Sequence, residues 1–285
     1  MQSAARLLAV ASLVVLSAQP SGAQAPLPLK HAPLRTQTPI TTADLMTRMY
    51  LYADDSMMGR AAGTEYNLKA TAYIAAEVKR FGLMPAGDSG SYFQSVPLVK
   101  RGLTSAPRLS VDGAELRLWE DYLPRDQGGP THSIDGAQAV FAGAWGDSAM
   151  LAPEQAAGKV VIIATPRRPN PGQPSWFVPR AGASGRYRTA AAVAIVSFDS
   201  MPAQLRDFFK NPQVSMSGGP TPPEQPSYLY LTQAAARQIL GRPVDSAAVG
   251  LTGKTFQGAV NFVETPAPSR NVVAVLRGSD PKLRS

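Results

Sequence analysis

Metal-binding side chains are scarce in this sequence of 285 residues. It contains two histidines, His31 and His132, and no cysteine, so thiolate sites and disulfides are excluded. Neither histidine begins a His-x-Asp motif, and no two glutamates are adjacent. A zinc site needs three or four nitrogen, sulfur or carboxylate ligands. The sequence therefore predicts no catalytic, cofactor-binding or metal-binding residue, and we expect His132, beside a Gly-Gly-Pro turn, in a surface loop.

The acidic pair Asp54 and Asp55 is the other candidate for metal binding. It follows a predicted helix and precedes a short polar loop that contains Gly59, Arg60 and Gly63. Two interpretations are open, a metal ligand or helix capping with an ion pair to Arg60. We favour the second, because no histidine lies nearby in the sequence to complete a metal site.

Nucleophilic catalysis has little support in the sequence. The segment Gly182–Gly185 (GASG) only loosely resembles the turn that exposes a catalytic serine, because Arg186 stands where that motif needs a glycine. A Ser-His-Asp triad through His132 is not excluded, but nothing favours one. No phosphate-binding loop of the form G-x-x-x-x-G-K-[ST] occurs.

Two helices are predicted early in the chain, over 42–54 and 64–81. Thr41 or Thr42 is expected to cap the first helix, and Thr64 the second, through the side-chain hydroxyl. A glycine directly after the second helix is typical of the left-handed residue that ends many helices. Helical periodicity predicts one apolar face for the second helix. Its members are Ala70, Tyr73, Ile74, Val78 and Phe81.

The motifs around these helices resemble the opening of the secreted zinc aminopeptidases of metallopeptidase family 28. That family comprises co-catalytic di-zinc exopeptidases. The segments that carry the resemblance are LYADDSMMGRAAGT, then FGLMPAG, then SYFQ. Their matching residues are Leu51, Asp54, Gly59, Arg60, Gly63, Thr64, Phe81, Gly82, Leu83, Pro85, Ala86, Gly87, Tyr92, Phe93 and Gln94. The resemblance implies two zinc ions in a full-length relative, with metal motifs that begin beyond Ser285.

After Gln94, short apolar runs punctuated by glycine and proline predict a β-rich domain. Strands are expected at Leu109–Val111, Leu116–Trp119, Ala139–Phe141 and Val160–Thr165. The run GKVVII at Gly158–Ile163 predicts a fully buried strand. With a helix over Gly185–Ala192 and a strand over Ala194–Phe198, it forms a β-loop-α-β unit. Residues Gln138–Leu240 thereby resemble the protease-associated domain, which implies a domain that covers an active-site cleft and shapes substrate access.

The remaining segments complete the expected layout. The proline-rich stretch 166–180 is either a polyproline ligand or, as we favour, a long surface loop. Residues 207–226 are expected to form a loop and a candidate flap. Thr232 is expected to cap a helix that ends at Gly241. Strands are predicted at 228–232 and 270–276, and a hairpin around Gly253-Lys254 is expected to join strands 249–251 and 256–263.

The first residues predict export. Arg6 and the apolar run Leu7–Leu16, followed by small residues, are typical of a signal peptide over 1–23. An uncleaved membrane anchor is the alternative. Residues 24–40 read as an extended tether, and we expect a periplasmic or extracellular protein with no membrane span after cleavage. The net charge is +8, but no basic stripe alternates with aromatic residues, so nucleic acid is not expected as a partner.

The expected fold class is therefore α+β. A helical lead-in over 41–97 precedes a protease-associated-like domain over 98–265, and 266–285 holds the first strand of an incomplete α/β peptidase domain. The expected function is that of the non-catalytic N-terminal segment of a secreted zinc aminopeptidase, with a peptide or protein substrate as partner. The alternative is a stand-alone exported module of the same fold that binds peptides or proteins without catalysis.

Overall fold

The computed structural model describes residues 40–104 and 107–280. The predicted signal peptide, residues 24–39 of the tether and His31 lie outside these ranges. The chain divides into two compact units after Asp54. In the first unit, helix α1 (Thr42–Tyr52) starts with a capping box, in which the Thr41 hydroxyl accepts a hydrogen bond from the Asp44 amide at 3.1 Å. The cap predicted at Thr41 is confirmed, and the helix ends two residues before the predicted Asp54.

The second unit contains the other described helices. They are α2 (Glu65–Arg80), α3 (Arg180–Arg186), α4 (Ala203–Lys210) and α5 (Gln233–Leu240). Thr64 caps α2 and Thr232 caps α5, as predicted. A glycine with a left-handed backbone follows each of these helices, Gly82 after α2 and Gly241 after α5. None of the helices in the described ranges has the length and apolarity to cross a bilayer.

Strands make up most of the regular structure of the second unit. In chain order they are β1 (Met84–Pro85), β2 (Phe93–Val96), β3 (Leu98–Leu103), β4 (Leu109–Val111), β5 (Ala114–Leu116), β6 (Tyr122–Arg125), β7 (Gln138–Ala144), β8 (Val160–Ala164), β9 (Ala192–Val196), β10 (Gln213–Met216), β11 (Ser227–Leu231), β12 (Thr252–Gly258), β13 (Phe262–Pro266), β14 (Ser269–Val272) and β15 (Ala274–Val275). The chain thus has a mixed α/β architecture.

A mixed sheet of eight strands, in the order β5-β4-β12-β7-β8-β9-β11-β6, forms the centre of this unit. Strands β7, β8, β9 and β11 are parallel neighbours, while β12 and β6 flank them in antiparallel pairing. Between β8 and β9 the chain passes through a long loop and α3, so the predicted β-loop-α-β unit is present.

Both faces of the parallel strands are buried. Val160 and Ile162 of β8 belong to a core covered by α5, through residues such as Ile239. On the opposite face, Val161 and Ile163 belong to a core that includes α3, and Phe209 of α4 packs against it. The continuous apolar run in β8 reflects this position, because a strand covered on both faces has no solvent-facing side chains.

The chain enters and leaves the large-sheet region through paired strands. Incoming β3 pairs antiparallel with outgoing β13, from Val99 opposite Pro266 to Leu103 opposite Phe262. One step further out, β2 pairs with β14, and β1 pairs with β15. Strand β10 pairs with the other edge of β3, so the third sheet has the order β10-β3-β13.

Strand β14 packs against α2. The Arg270 guanidinium donates to the Thr71 hydroxyl at 2.9 Å and to the Leu68 carbonyl at 2.8 Å. It also lies 3.6 Å from the centroid of the Phe93 ring on β2. One arginine therefore joins the helix to both strands of the β2/β14 pair.

Three predictions on secondary structure are wrong. The helix predicted over Gly185–Ala192 lies at Arg180–Arg186, because pairing with β8 and β11 draws Ala192 into β9. Residues 207–226 are not one loop, since α4 continues to Lys210 and β10 pairs with β3. Only 211–212 and 217–226 lie outside helices and strands. The hairpin around Gly253 is instead the single strand β12, and β13 pairs with β3.

Two smaller expectations also fail. The strand predicted at Leu116–Trp119 is β5, which ends at Leu116, and Trp119 has a left-handed backbone with φ of 68°. Phe81 does not join a buried face of α2, because it follows the last helical residue and its side chain is 43% exposed.

The strand predicted over 270–276 is split into β14 and β15. Val273, between them, donates its amide to the Tyr92 carbonyl at 2.9 Å and accepts from the Ala86 amide. These two hydrogen bonds link the pairing of β14 with β2 to the pairing of β15 with β1. Val275 and Leu276 are exposed.

We predict faster amide exchange in this C-terminal strand than in the central sheet. The Val273 amide is hydrogen-bonded, yet its two-stranded surroundings contain no fully buried side chain, whereas Ile162 is 0% exposed. Hydrogen-exchange mass spectrometry or NMR should find Val273 exchanging at least about a hundredfold faster than Ile162, which corresponds to about 2.8 kcal/mol.

The variant Arg270→Ala should accelerate Val273 further and leave Ile162 unchanged, because it removes the tie to α2. Equal, slow exchange at Val273 and Ile162 in the unmodified chain would show that the strand is as well buried as the central sheet.

Candidate binding cleft

The residues singled out in the sequence do not come together as a catalytic or metal site. Half-buried His132 places Nδ1 2.6 Å from the Ala190 carbonyl oxygen, and because a carbonyl only accepts, Nδ1 carries the proton. Asp135, next to it in the loop, accepts from the Gly258 amide at 2.8 Å. Among the described residues, no group of three histidine, aspartate or glutamate side chains is placed to hold a metal ion.

The other candidates have structural positions. Asp55 is exposed and opens a short 3-10 turn that ends at Arg60. Ser184 lies inside α3, not on a strand-to-helix turn, and its hydroxyl accepts from the Gln127 side-chain amide at 3.1 Å. The resemblance of Gly182–Gly185 to a nucleophile turn therefore has no structural counterpart.

A cleft of about 710 Å³ lies where the three-stranded sheet meets the α4 side of the large sheet. One wall contains residues of β3, β10 and β13, and another contains residues of β6, α3 and α4. The loop 217–222 completes the lining, and it approaches the backbone closely at Gly129. A Cβ atom at Gly129 would lie 3.0 Å from the Pro222 side chain, so a larger residue there would require the loop to shift by a few tenths of an ångström.

Arg101 of β3 joins the walls of the cleft. Its Nε donates to both carboxylate oxygens of Asp126, at 2.9 and 3.0 Å, and its other nitrogens donate to Glu264 at 3.1 Å and the Gly129 carbonyl at 3.0 Å. Burial alone lowers the pKa of Arg101, but the hydrogen bonds and charges of Asp126 and Glu264 outweigh it and raise the pKa. Arg101 is thus a neutralised, structural cation.

Arg125, at the end of β6, has a different environment. It lies opposite Tyr228 in the β6/β11 pair, and its guanidinium lies 4.1 Å from the centroid of the Phe209 ring. Phe209 in turn stacks on Tyr230 at 6.0 Å with an interplanar angle of 7°. Burial, followed by the charge of Arg180, lowers the pKa of Arg125. No ion pair to Arg125 is formed within the described residues.

Arg180 and Tyr228 complete this group. Arg180, the first residue of α3, donates to the Asp126 backbone carbonyl at 2.9 Å and forms no ion pair within residues 40–104 and 107–280. The Tyr228 hydroxyl is buried and has no hydrogen-bond partner among those residues. Burial, followed by the neighbouring Tyr230, raises the pKa of Tyr228. Two guanidinium groups that form no ion pair with a carboxylate of the described residues therefore share one wall of the cleft with aromatic side chains.

Sequence patterns did not indicate this cluster. Arg125 and Arg180 are distant in the chain and belong to no basic run, and Tyr228 and Phe209 read as ordinary apolar positions of a strand and a polar loop. The cluster forms only through the pairing of β6 with β11 and the packing of α4 on the same face.

Comparisons with known proteins show a distant likeness to solved structures. No family model matches the chain, and no curated protein matches it. Among solved structures, it is similar to an aminopeptidase from Aneurinibacillus sp. strain AM-1, with 17% identity over 81% of this chain and a TM-score of 0.43. The chain spans 48% of the length of that aminopeptidase. A likeness at this level carries no argument about activity or substrate.

The unpaired hydroxyl of Tyr228 leads to a stability prediction. A buried hydroxyl without a hydrogen bond does not recover the free energy that its removal from water costs. Tyr228→Phe should therefore leave the free energy of unfolding unchanged or raise it by about 1 kcal/mol. The matched control is Tyr187→Phe, which removes a hydroxyl that donates to the Leu151 carbonyl at 2.9 Å. That control should lose about 0.5–1.5 kcal/mol.

Urea denaturation followed by circular dichroism measures both variants. A loss in Tyr228→Phe as large as that in Tyr187→Phe would mean that the Tyr228 hydroxyl has a partner that stabilises the fold.

Proposed function

We propose that this chain is the non-catalytic N-terminal segment of a secreted zinc aminopeptidase, in which residues 98–265 form a protease-associated-like domain that shapes access of a peptide substrate. The observation that carries the proposal is the pairing of incoming with outgoing strands, β3 with β13 and β2 with β14. This pairing makes the large-sheet region an insertion between α2 and the C-terminal strand. The motifs that resemble family 28, from Leu51 to Gln94, directly precede that insertion.

Helix α2, strand β2 and the C-terminal strand form one connected structure, which further supports the proposal. Arg270 donates hydrogen bonds to Thr71 and Leu68 of α2 and stacks on Phe93. Thr71 and Leu68 lie 199 and 202 residues before Arg270 in the sequence. In the proposed enzyme this structure is the beginning of the peptidase domain. Zinc binding and peptide hydrolysis belong to the whole proposed enzyme.

A second candidate function is a stand-alone exported module that binds a peptide or protein without catalysis. The cleft favours it, because Arg125 and Arg180 offer unneutralised charge to a ligand without any help from a peptidase domain. The reading frame after the Ser285 codon separates the two candidates. A strand that ends in His-x-Asp supports the aminopeptidase segment, and unrelated sequence supports the stand-alone module.

We predict that the purified chain, supplied with zinc, releases no amino acid from a peptide amide. The measurements are a leucine-release assay, with a di-zinc aminopeptidase as the positive control, and calorimetric titration with zinc chloride. The variant His132→Ala should behave identically, because the His132 ring already bonds to Ala190. Tight stoichiometric zinc binding together with turnover would contradict the non-catalytic assignment.

A further inference from the structure

The charges that line the cleft do not balance. Arg101, Arg125, Arg180 and Lys210 face two carboxylates, those of Asp126 and Glu264. Arg101 bonds to both carboxylates, and Lys210 pairs with the exposed Asp207 on its own helix at 3.5 Å. Arg125 and Arg180 are left with positive charge that no carboxylate of the described residues neutralises by an ion pair.

Arg125 is held in a setting that favours an anionic ligand. A guanidinium stays protonated at neutral pH, so partial burial without a counter-ion costs free energy. The Phe209 ring supports one face of the guanidinium by a cation–π contact and leaves its N–H edge available. Like-charged Arg180 lies close enough to lower the pKa of Arg125, so an anion between them would relieve repulsion as well as desolvation.

Most N–H donors of the Arg180 guanidinium form no hydrogen bond with the described residues. Its guanidinium has five N–H groups, and the described contacts use one nitrogen, which donates to the Asp126 carbonyl. That bond directs the side chain toward the Asp126–Gly129 segment of the cleft without neutralising the charge. Arg125 and Arg180 are therefore two guanidinium groups that line the same cleft, and each can donate two parallel hydrogen bonds.

We propose that the cleft is a carboxylate-binding site in which Arg125 and Arg180 together hold one carboxylate of an extended peptide. A planar carboxylate matches the fork of a guanidinium and accepts two parallel hydrogen bonds from it. The other cleft residues, which include Met216, Pro222 and Phe262, offer apolar and backbone surface to the uncharged part of a peptide. That the carboxylate belongs to a peptide rests on the proposed function.

The carboxylate has two possible sources, the C-terminus of the peptide or an acidic side chain, and three tetrapeptides labelled at the N-terminus with an uncharged BODIPY dye distinguish them. The first is Gly-Ala-Leu-Ala as the free acid, the second is its C-terminal amide, and the third is the amide of Gly-Ala-Glu-Ala. Fluorescence anisotropy with the full purified chain measures each affinity. At least one carboxylate peptide should bind at least about tenfold more tightly than the uncharged amide, the effect of a charge-assisted hydrogen-bonded pair.

The variants Arg125→Gln and Arg180→Gln should each remove that tenfold preference. Arg237→Gln is the matched control, since Arg237 is an exposed cation on α5 outside the cleft. Exposed Arg180 can be replaced with little risk to the fold. If Arg125→Gln does not fold, Arg125→Lys keeps the charge and removes the fork, and it should weaken carboxylate binding while leaving the urea midpoint near that of the parent chain.

The outcomes separate this proposal from the proposed function. Equal binding of acid and amide peptides, unaffected by either arginine variant, overturns the carboxylate site but leaves the peptide-binding role intact. Arginine-dependent binding of N-acetylglycine, detected by NMR, without binding of any peptide supports the carboxylate site and contradicts the peptide role. Stronger competition by inorganic phosphate than by acetate overturns the carboxylate assignment, as does absence of binding by every probe.

Discussion

Burial of strands β8 and β9 on both faces is the constraint on which the other elements depend. Their side chains, from Val160 to Ile163 and from Ala192 to Ile195, are fully buried. Each fully buried valine or isoleucine contributes about 1.5–3 kcal/mol relative to an exposed one. That contribution is available only if both faces of the sheet are covered, so α5 must lie on one face and α3 and α4 on the other.

The same constraint creates the cleft. Cover on the α3/α4 face comes partly from aromatic side chains, with Phe209 stacked on Tyr230 and Tyr228 edge-on to Tyr230 at 5.4 Å. Strand β6 closes the sheet at this edge and sets Arg125 opposite Tyr228. The guanidinium thus lies at the boundary between an aromatic core and solvent. A charge at such a boundary is partly desolvated, which strengthens its attraction to a ligand anion.

Local chemistry explains which elements could be predicted from the sequence. The caps at Thr64 and Thr232 and the glycine stop at Gly241 are decided within one turn of chain, and they were found where expected. The buried strand β8 was recognisable because its β-branched run has no alternation. The site was not recognisable, since Arg125 and Arg180 become neighbours only through long-range pairing.

The wrong predictions have physical causes of the same long-range kind. Ala192 has high helix propensity, but hydrogen bonding to two parallel neighbours overrides it. Gly253 suggested a turn, yet it lies within β12 where this strand closely approaches α5. A Cβ atom there would lie 2.8 Å from the Ile239 carbonyl oxygen. Strand β10 (QVSM) does alternate polar and apolar residues, but it has only four residues, and backbone pairing with β3, not burial, holds it, since Val214 and Met216 are exposed.

The pairing of incoming with outgoing strands holds the two ends of the large-sheet region side by side. Joining the two ends of a long segment has an entropic cost that grows only slowly with its length. Here β3/β13 and β2/β14 hold the ends side by side, so the large-sheet region can fold around its own core without disturbing α2. Arg101 lies on β3 within this ribbon and bonds across the cleft to Asp126, at the end of β6. The ribbon that fixes the ends of the large-sheet region therefore also fixes one wall of the cleft, and the position of Arg125 and Arg180 is coupled to strands β3 and β13.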